Sequence, residues 1–83
     1  MREKAETREW LIITFHTTAE AMAVEKACRD SGISGKLISA PRQLSSDCGI
    51  AWKCDILYRQ TMEELLNASG IEFEQIHEIT VQS

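Results

Sequence analysis

No run in this 83-residue chain approaches the ~18 apolar residues of a membrane span, so none is expected. The first ten residues, MREKAETREW, are charged and lack an apolar signal region. Export is therefore not expected, and a cytoplasmic location is. Cysteine is sparse, at three residues, an odd number with no C-x-x-C pair. That excludes a disulfide framework or a zinc ribbon, and a reduced protein with no metal and no cofactor is expected. Positive charge is also short: nine Lys and Arg face thirteen Asp and Glu, a net charge of -4. A phosphate-binding surface usually needs the opposite balance, so nucleic acid is not expected as a partner. The basic residues are scattered, although Lys36, Arg42 and Lys53 could converge locally.

What is present describes an ordinary globular chain. Hydrophobic residues at 43% and charged residues at 27% exclude a disordered protein. The length allows one modest core. Residues 1–8 are expected to form a flexible arm, with a single domain over residues 9–83.

Within that domain, EWLIITF (Glu9–Phe15) is short, apolar and rich in β-favouring residues, and predicts a strand. A helix follows. Thr17-x-x-Glu20 fits a capping box, Ala21, Val24, Ala27, Cys28 and Ser31 share one face, and Gly32 supplies the stop. GKLISAP predicts a second strand, ended by the only proline, Pro41. A polar loop covers Arg42 to Gly49. IAWKCDIL then alternates, with Ile50, Trp52, Cys54 and Ile56 on one face and Ala51, Lys53 and Asp55 on the other. A second helix is expected to start near Thr61, through a capping box Thr61-x-x-Glu64, and to stop at Gly70. The last strand, IEFEQIHEITVQ, is expected to be bulged, because its apolar positions change phase once.

The order β-α-β-β-α-β predicts an α+β, ferredoxin-like two-layer sandwich with an antiparallel sheet in the order 4-1-3-2. In that topology the loop after strand 2 lies on the same edge as the start of helix 1. Cys48 is thereby expected near His16, Thr17 and Thr18, about thirty residues away in the chain.

The three cysteines are not equivalent. Cys28 and Cys54 fall on apolar faces and are expected to pack. Cys48 lies among Ser45, Ser46, Asp47 and Gly49, with no apolar stripe to explain it. Gly49 allows the positive φ that presents a side chain at a turn. Thiolate is the reactive form of cysteine. A helix N-terminus and Arg42 or Lys53 would favour that form at Cys48, and Asp47 would oppose it. His16 could orient or deprotonate the thiol, but no third orienting group suggests a hydrolase. Trp10 and Trp52 are expected in the core or, on a helix-free sheet face, at a dimer contact, so a homodimer is one expected partner.

These residues also carry a resemblance. The segments ITFHTTAEAMAVEKACRDSGI and LISAPRQLSSDCGIAWK resemble a small bacterial family described as selenium/sulfur carrier protein-like. The matching positions are Phe15, Thr17, Ala21, Glu25, Gly32, Pro41, Arg42, Leu44, Ser45, Cys48, Gly49 and Lys53. Asp47 and Ala40 depart from the pattern, and the Cys-Pro-x-Pro signature of better known sulfur-relay carriers is absent. The resemblance implies a carrier that holds selenium or sulfur on Cys48 as a persulfide or perselenide. It would receive the atom from a pyridoxal-phosphate lyase or desulfurase and pass it to an acceptor enzyme. Cys48 is then the carrier nucleophile. The N–H groups of Thr17 and Thr18 and the Arg42 charge would stabilise the anion, and Pro41 and Gly49 would shape the loop. Such a chain is a transfer module and not a stand-alone enzyme. The competing expectation is a small ferredoxin-like regulatory or protein-interaction module with no covalent chemistry.

Overall fold

The computed structural model describes residues 7–44 and 46–82. Along the chain run β1 (Thr7–Thr14), α1 (Thr18–Ser31), β2 (Gly35–Ser39) and β3 (Ile50–Asp55). A 3-10 turn (Ile56–Tyr58), α2 (Arg59–Ser69) and β4 (Gln75–Gln82) complete it. The strands form one sheet in the order β2-β3-β1-β4, and every neighbouring pair is antiparallel. This is the expected order read from the opposite edge, and the β-α-β-β-α-β arrangement is consistent with a ferredoxin-like fold. Of the expected N-terminal arm, residues 1–6 lie outside the described residues, whereas Thr7 and Arg8 already pair with Gln82 and Val81. No helix among the described residues is long and apolar enough to cross a membrane.

Alternation along β1 and β3 builds the core. Leu11 lies opposite Cys54 and Ile13 opposite Trp52, so all four face the same side of the sheet. Ala21, Val24 and Cys28 of α1 and Met62 and Leu66 of α2 join them in one buried cluster. Both helices therefore cover the same face. They also meet there, with Cys28 Sγ 3.5 Å from Met62 Sδ.

α1 begins and ends as its sequence predicts. Thr17 is the N-cap and accepts from the Glu20 N–H, while Gly32 closes the helix in the left-handed region at φ 77°. Three expectations need correction. β3 stops at Asp55, because the Asp55 carboxylate accepts from Leu57 N at 2.9 Å and turns the chain into the 3-10 segment. That turn runs directly into α2, so Thr61 lies inside the helix, and the N-cap is Tyr58 with no side-chain cap bond. β4 is not bulged: its pairing with β1 is continuous from Gln75 to Gln82. Ile71 and Phe73 precede the strand and pack against the core, while Ile76 and Ile79 fall on opposite faces of it. The change of phase has that origin.

Gly35 is required by packing. A Cβ there would sit 2.4 Å from Trp52 Cζ2 and 2.7 Å from the Lys53 carbonyl oxygen. The indole is buried and the carbonyl is main chain, so neither yields cheaply. Gly35→Ala is expected to cost ~1–3 kcal/mol, as overpacking does, read from the midpoint of denaturant unfolding.

Candidate functional site

The loop between β2 and β3 is built from two tight turns. Leu44 N donates to the Pro41 carbonyl at 3.0 Å, and Gly49 N donates to the Ser46 carbonyl at 3.3 Å. Gly49 has φ 75°, which favours glycine, and its carbonyl accepts from Ala40 N at 3.0 Å as the chain rejoins the sheet. Cys48 is carried on the second turn, one residue before that glycine.

Ser46 ties the loop to the sheet. Its hydroxyl lies 3.2 Å from the Ile50 carbonyl and 3.4 Å from the Phe15 carbonyl, at the end of β1. Asp47 N donates to Glu74 Oε1 at 3.4 Å. Glu74 in turn is fixed through its own N–H, which donates to Thr14 O at 2.7 Å. His16, Asp47 and Glu74 thus converge from three parts of the chain, with one ligand-type atom from each lying within 4.8 Å of the others. The expected proximity of the Cys48 loop to the start of α1 is therefore present at Phe15 and His16.

The predicted binding groups are disposed unequally around the thiol. Cys48 Sγ reaches the Ile50 carbonyl at 3.5 Å and the Ser46 hydroxyl at 4.0 Å, and among the described residues no hydrogen bond joins it to Thr17 or Thr18. Thr17 uses its hydroxyl on Glu20 N at 3.2 Å. Glu20 also accepts from His16 N at 2.8 Å and lies 3.5 Å from His16 Nδ1. Thr18 and Arg42 are exposed. Lys53 is engaged elsewhere, its ammonium 4.2 Å from the Trp10 ring centroid on the helix-free face of the sheet. Ser45, a position of the resemblance, lies outside the described residues.

Burial separates the three free thiols. Cys28 is fully buried, and burial, with a smaller contribution from Cys54, pushes its thiol up to about 12. Cys54 is 2% exposed, and burial raises it too, against an opposing contribution from the Trp52 indole. A buried neutral thiol is a weak nucleophile. Cys48 alone is half-buried, so water and a partner can reach it. It is nonetheless not free of packing, since its side chain touches the rim of the core. Sequence reading missed this contact because no flanking residue is apolar on the loop side.

The capping box anticipated the back-reaching Glu20 carboxylate, which accepts from His16 N. Sequence reading missed Ser46 and Glu74. These two depend on partners 31 and 27 residues distant and had no local signal.

No curated protein matches the chain. A family model described as "Putative Se/S carrier protein-like" matches residues 10–78, which takes in β1 through the first part of β4 and so extends well past the Pro-Arg…Cys-Gly segment. With most of its fold inside that match, the chain belongs to the Se/S carrier-like family.

Proposed function

We propose that this protein is a chalcogen carrier that receives sulfur or selenium on Cys48, as a persulfide or perselenide, and hands it to an acceptor. The observation that supports this best is the contrast among the thiols. Two are sealed in the core, and the third stands half-exposed on a tethered loop of a chain in the Se/S carrier-like family.

In the loading step the Cys48 thiolate attacks the terminal sulfur of a donor enzyme's persulfide. A new S–S bond forms at Cys48 as the donor's S–S bond breaks, and the electron pair leaves on the donor thiolate. The transfer balances without an outside oxidant or reductant. Selenium moves in the same way from a donor S–Se group. Delivery repeats the step with an acceptor thiolate as the attacking group. Lyases or desulfurases that carry the atom on their own cysteine suit the donor role.

Around Cys48, Ser46 and Gly49 hold the turn, and the amide ends of α1 at Thr17 and Thr18 add positive potential. Arg42 supplies an exposed positive charge at the same edge, and the His16 imidazole stands beside Asp47. Asp47 and Glu74 put negative charge at the same loop, held together where Asp47 N donates to the Glu74 carboxylate.

Limited alkylation of the native protein by iodoacetamide, mapped by peptide mass, tests the accessibility this reading requires. Cys48 is expected to be modified first, and Cys28 and Cys54 only after denaturation. Equal or faster modification of either buried thiol contradicts it.

A further inference from the structure

A second feature lies at the other end of β2 and β3 from Cys48, where a cavity of about 460 Å³ opens between Trp10, Lys36, Lys53, Asp55, Tyr58 and Arg8. This volume is in the range of sites for small molecules. In a chain with net charge -4, three cationic side chains line this one cavity against a single carboxylate.

The cationic arrangement is poorly compensated by the protein itself. Lys36 and Lys53 are direct cross-strand partners in the β2–β3 ladder, a placement in which like charges repel. Among the described residues neither ammonium has a carboxylate within 4.0 Å. The one acid, Asp55, meets Arg8 only at 4.0 Å, with both side chains substantially exposed, a weak pairing. Arg8 and Lys53 instead lie over the Trp10 ring, at 4.8 Å and 4.2 Å from its centroid. That indole gives both cations a shared wall and restrains them toward the cavity. A concave site of one sign with an apolar wall focuses its field on a counter-ion.

We propose that this cavity binds a small, multiply charged oxyanion. Its charge would relieve the Lys36–Lys53 repulsion and accept hydrogen bonds from both ammonium groups and the Arg8 guanidinium, with the Tyr58 hydroxyl as a neutral donor. The proposal is independent of the chemistry at Cys48.

Titration of the full chain with inorganic pyrophosphate and, in parallel, with citrate tests it, followed by calorimetry and by amide chemical shifts. Saturable binding is expected, with shifts centred on Gly35, Lys36, Lys53 and Tyr58 and affinity falling as salt rises. The tighter of the two anions identifies the class as phosphate-like or carboxylate-like. Lys36→Gln with Lys53→Gln is expected to weaken binding at least about tenfold, the low end for loss of one charged hydrogen bond. Asp55→Asn, which keeps an oxygen to cap Leu57, is expected to tighten it. Circular dichroism checks that each variant is folded. Absence of saturable binding by either anion at millimolar concentration overturns the proposal. So does binding that the paired Gln substitutions leave unchanged.

Discussion

Trp52→Ala is expected to leave the domain marginal or unfolded at room temperature. Trp52 is the largest of the fully buried side chains, at 2% exposure, and stands at the middle of β3 between Ile13 of β1 and Leu37 of β2. Truncating a buried Trp to Ala costs ~3–5 kcal/mol, from lost transfer energy and the cavity left behind. Small domains hold only ~5–15 kcal/mol in total. Relaxation offers little relief, because the strands on either side are fixed by their ladders. The buried indole N–H makes no hydrogen bond of normal length, although it favours the Cys54 thiolate, so the loss is chiefly one of packing. Trp10→Ala provides the contrast: Trp10 is half-buried on the helix-free face, and its removal is expected to cost far less. Guanidinium unfolding followed by far-UV circular dichroism measures both. A loss below about 1 kcal/mol for Trp52→Ala would contradict a core centred on that ring.

The same residue shows why much of the fold was legible in the sequence. The alternation of Trp52, Lys53, Cys54 and Asp55 assigns Trp52 and Cys54 to one face without knowledge of the partners, although small Ala51 is buried on the other face. Thr17, Glu20 and Gly32 mark both ends of α1 through local hydrogen bonds and a local φ, which sequence displays directly. The start of α2 was hidden for the opposite reason. One bond from Asp55 to Leu57 starts a 3-10 turn that continues as helix, so no cap residue marks the entry, and Thr61 imitates one. Phase along residues 71–82 misled because Ile71 and Phe73 reach the core from a loop, which periodicity cannot distinguish from a bulged strand.

At the site, topology alone placed the β2–β3 loop beside the start of α1. It could not show how the loop is held. Ser46 and Glu74 act through contacts between distant segments, and nothing in SSDCG or IEFE announces them. Nor could it show that Lys53 serves Trp10 and the Lys36 cavity instead of the thiol. The cations expected to converge did so in part: Lys36 and Lys53 share a cavity, joined by Arg8, and Arg42 remains at the other end of the sheet.

Loss of Cys48 is expected to abolish chalcogen loading while leaving the fold intact. Oxygen in place of sulfur cannot form the S–S or S–Se bond that holds the cargo. The half-buried position tolerates serine without a buried cavity, and the turn's backbone bonds, Gly49 N to Ser46 O among them, do not involve the side chain. Cys28 and Cys54 cannot substitute, since burial holds both thiols in the protonated form and out of reach of a partner. Cys28→Ala and Cys54→Ala are therefore expected to load as the native chain does, provided each is folded.

Intact-mass spectrometry under non-reducing conditions, after incubation with a desulfurase and cysteine or with a selenocysteine lyase and selenocysteine, which present the atom as a persulfide or perselenide, tests this most directly. The account predicts that the native chain gains one sulfur or selenium atom, released by dithiothreitol, and that Cys48→Ser gains none. A native chain that takes up neither element, or a Cys48→Ser chain that loads as well as the native one, would contradict it.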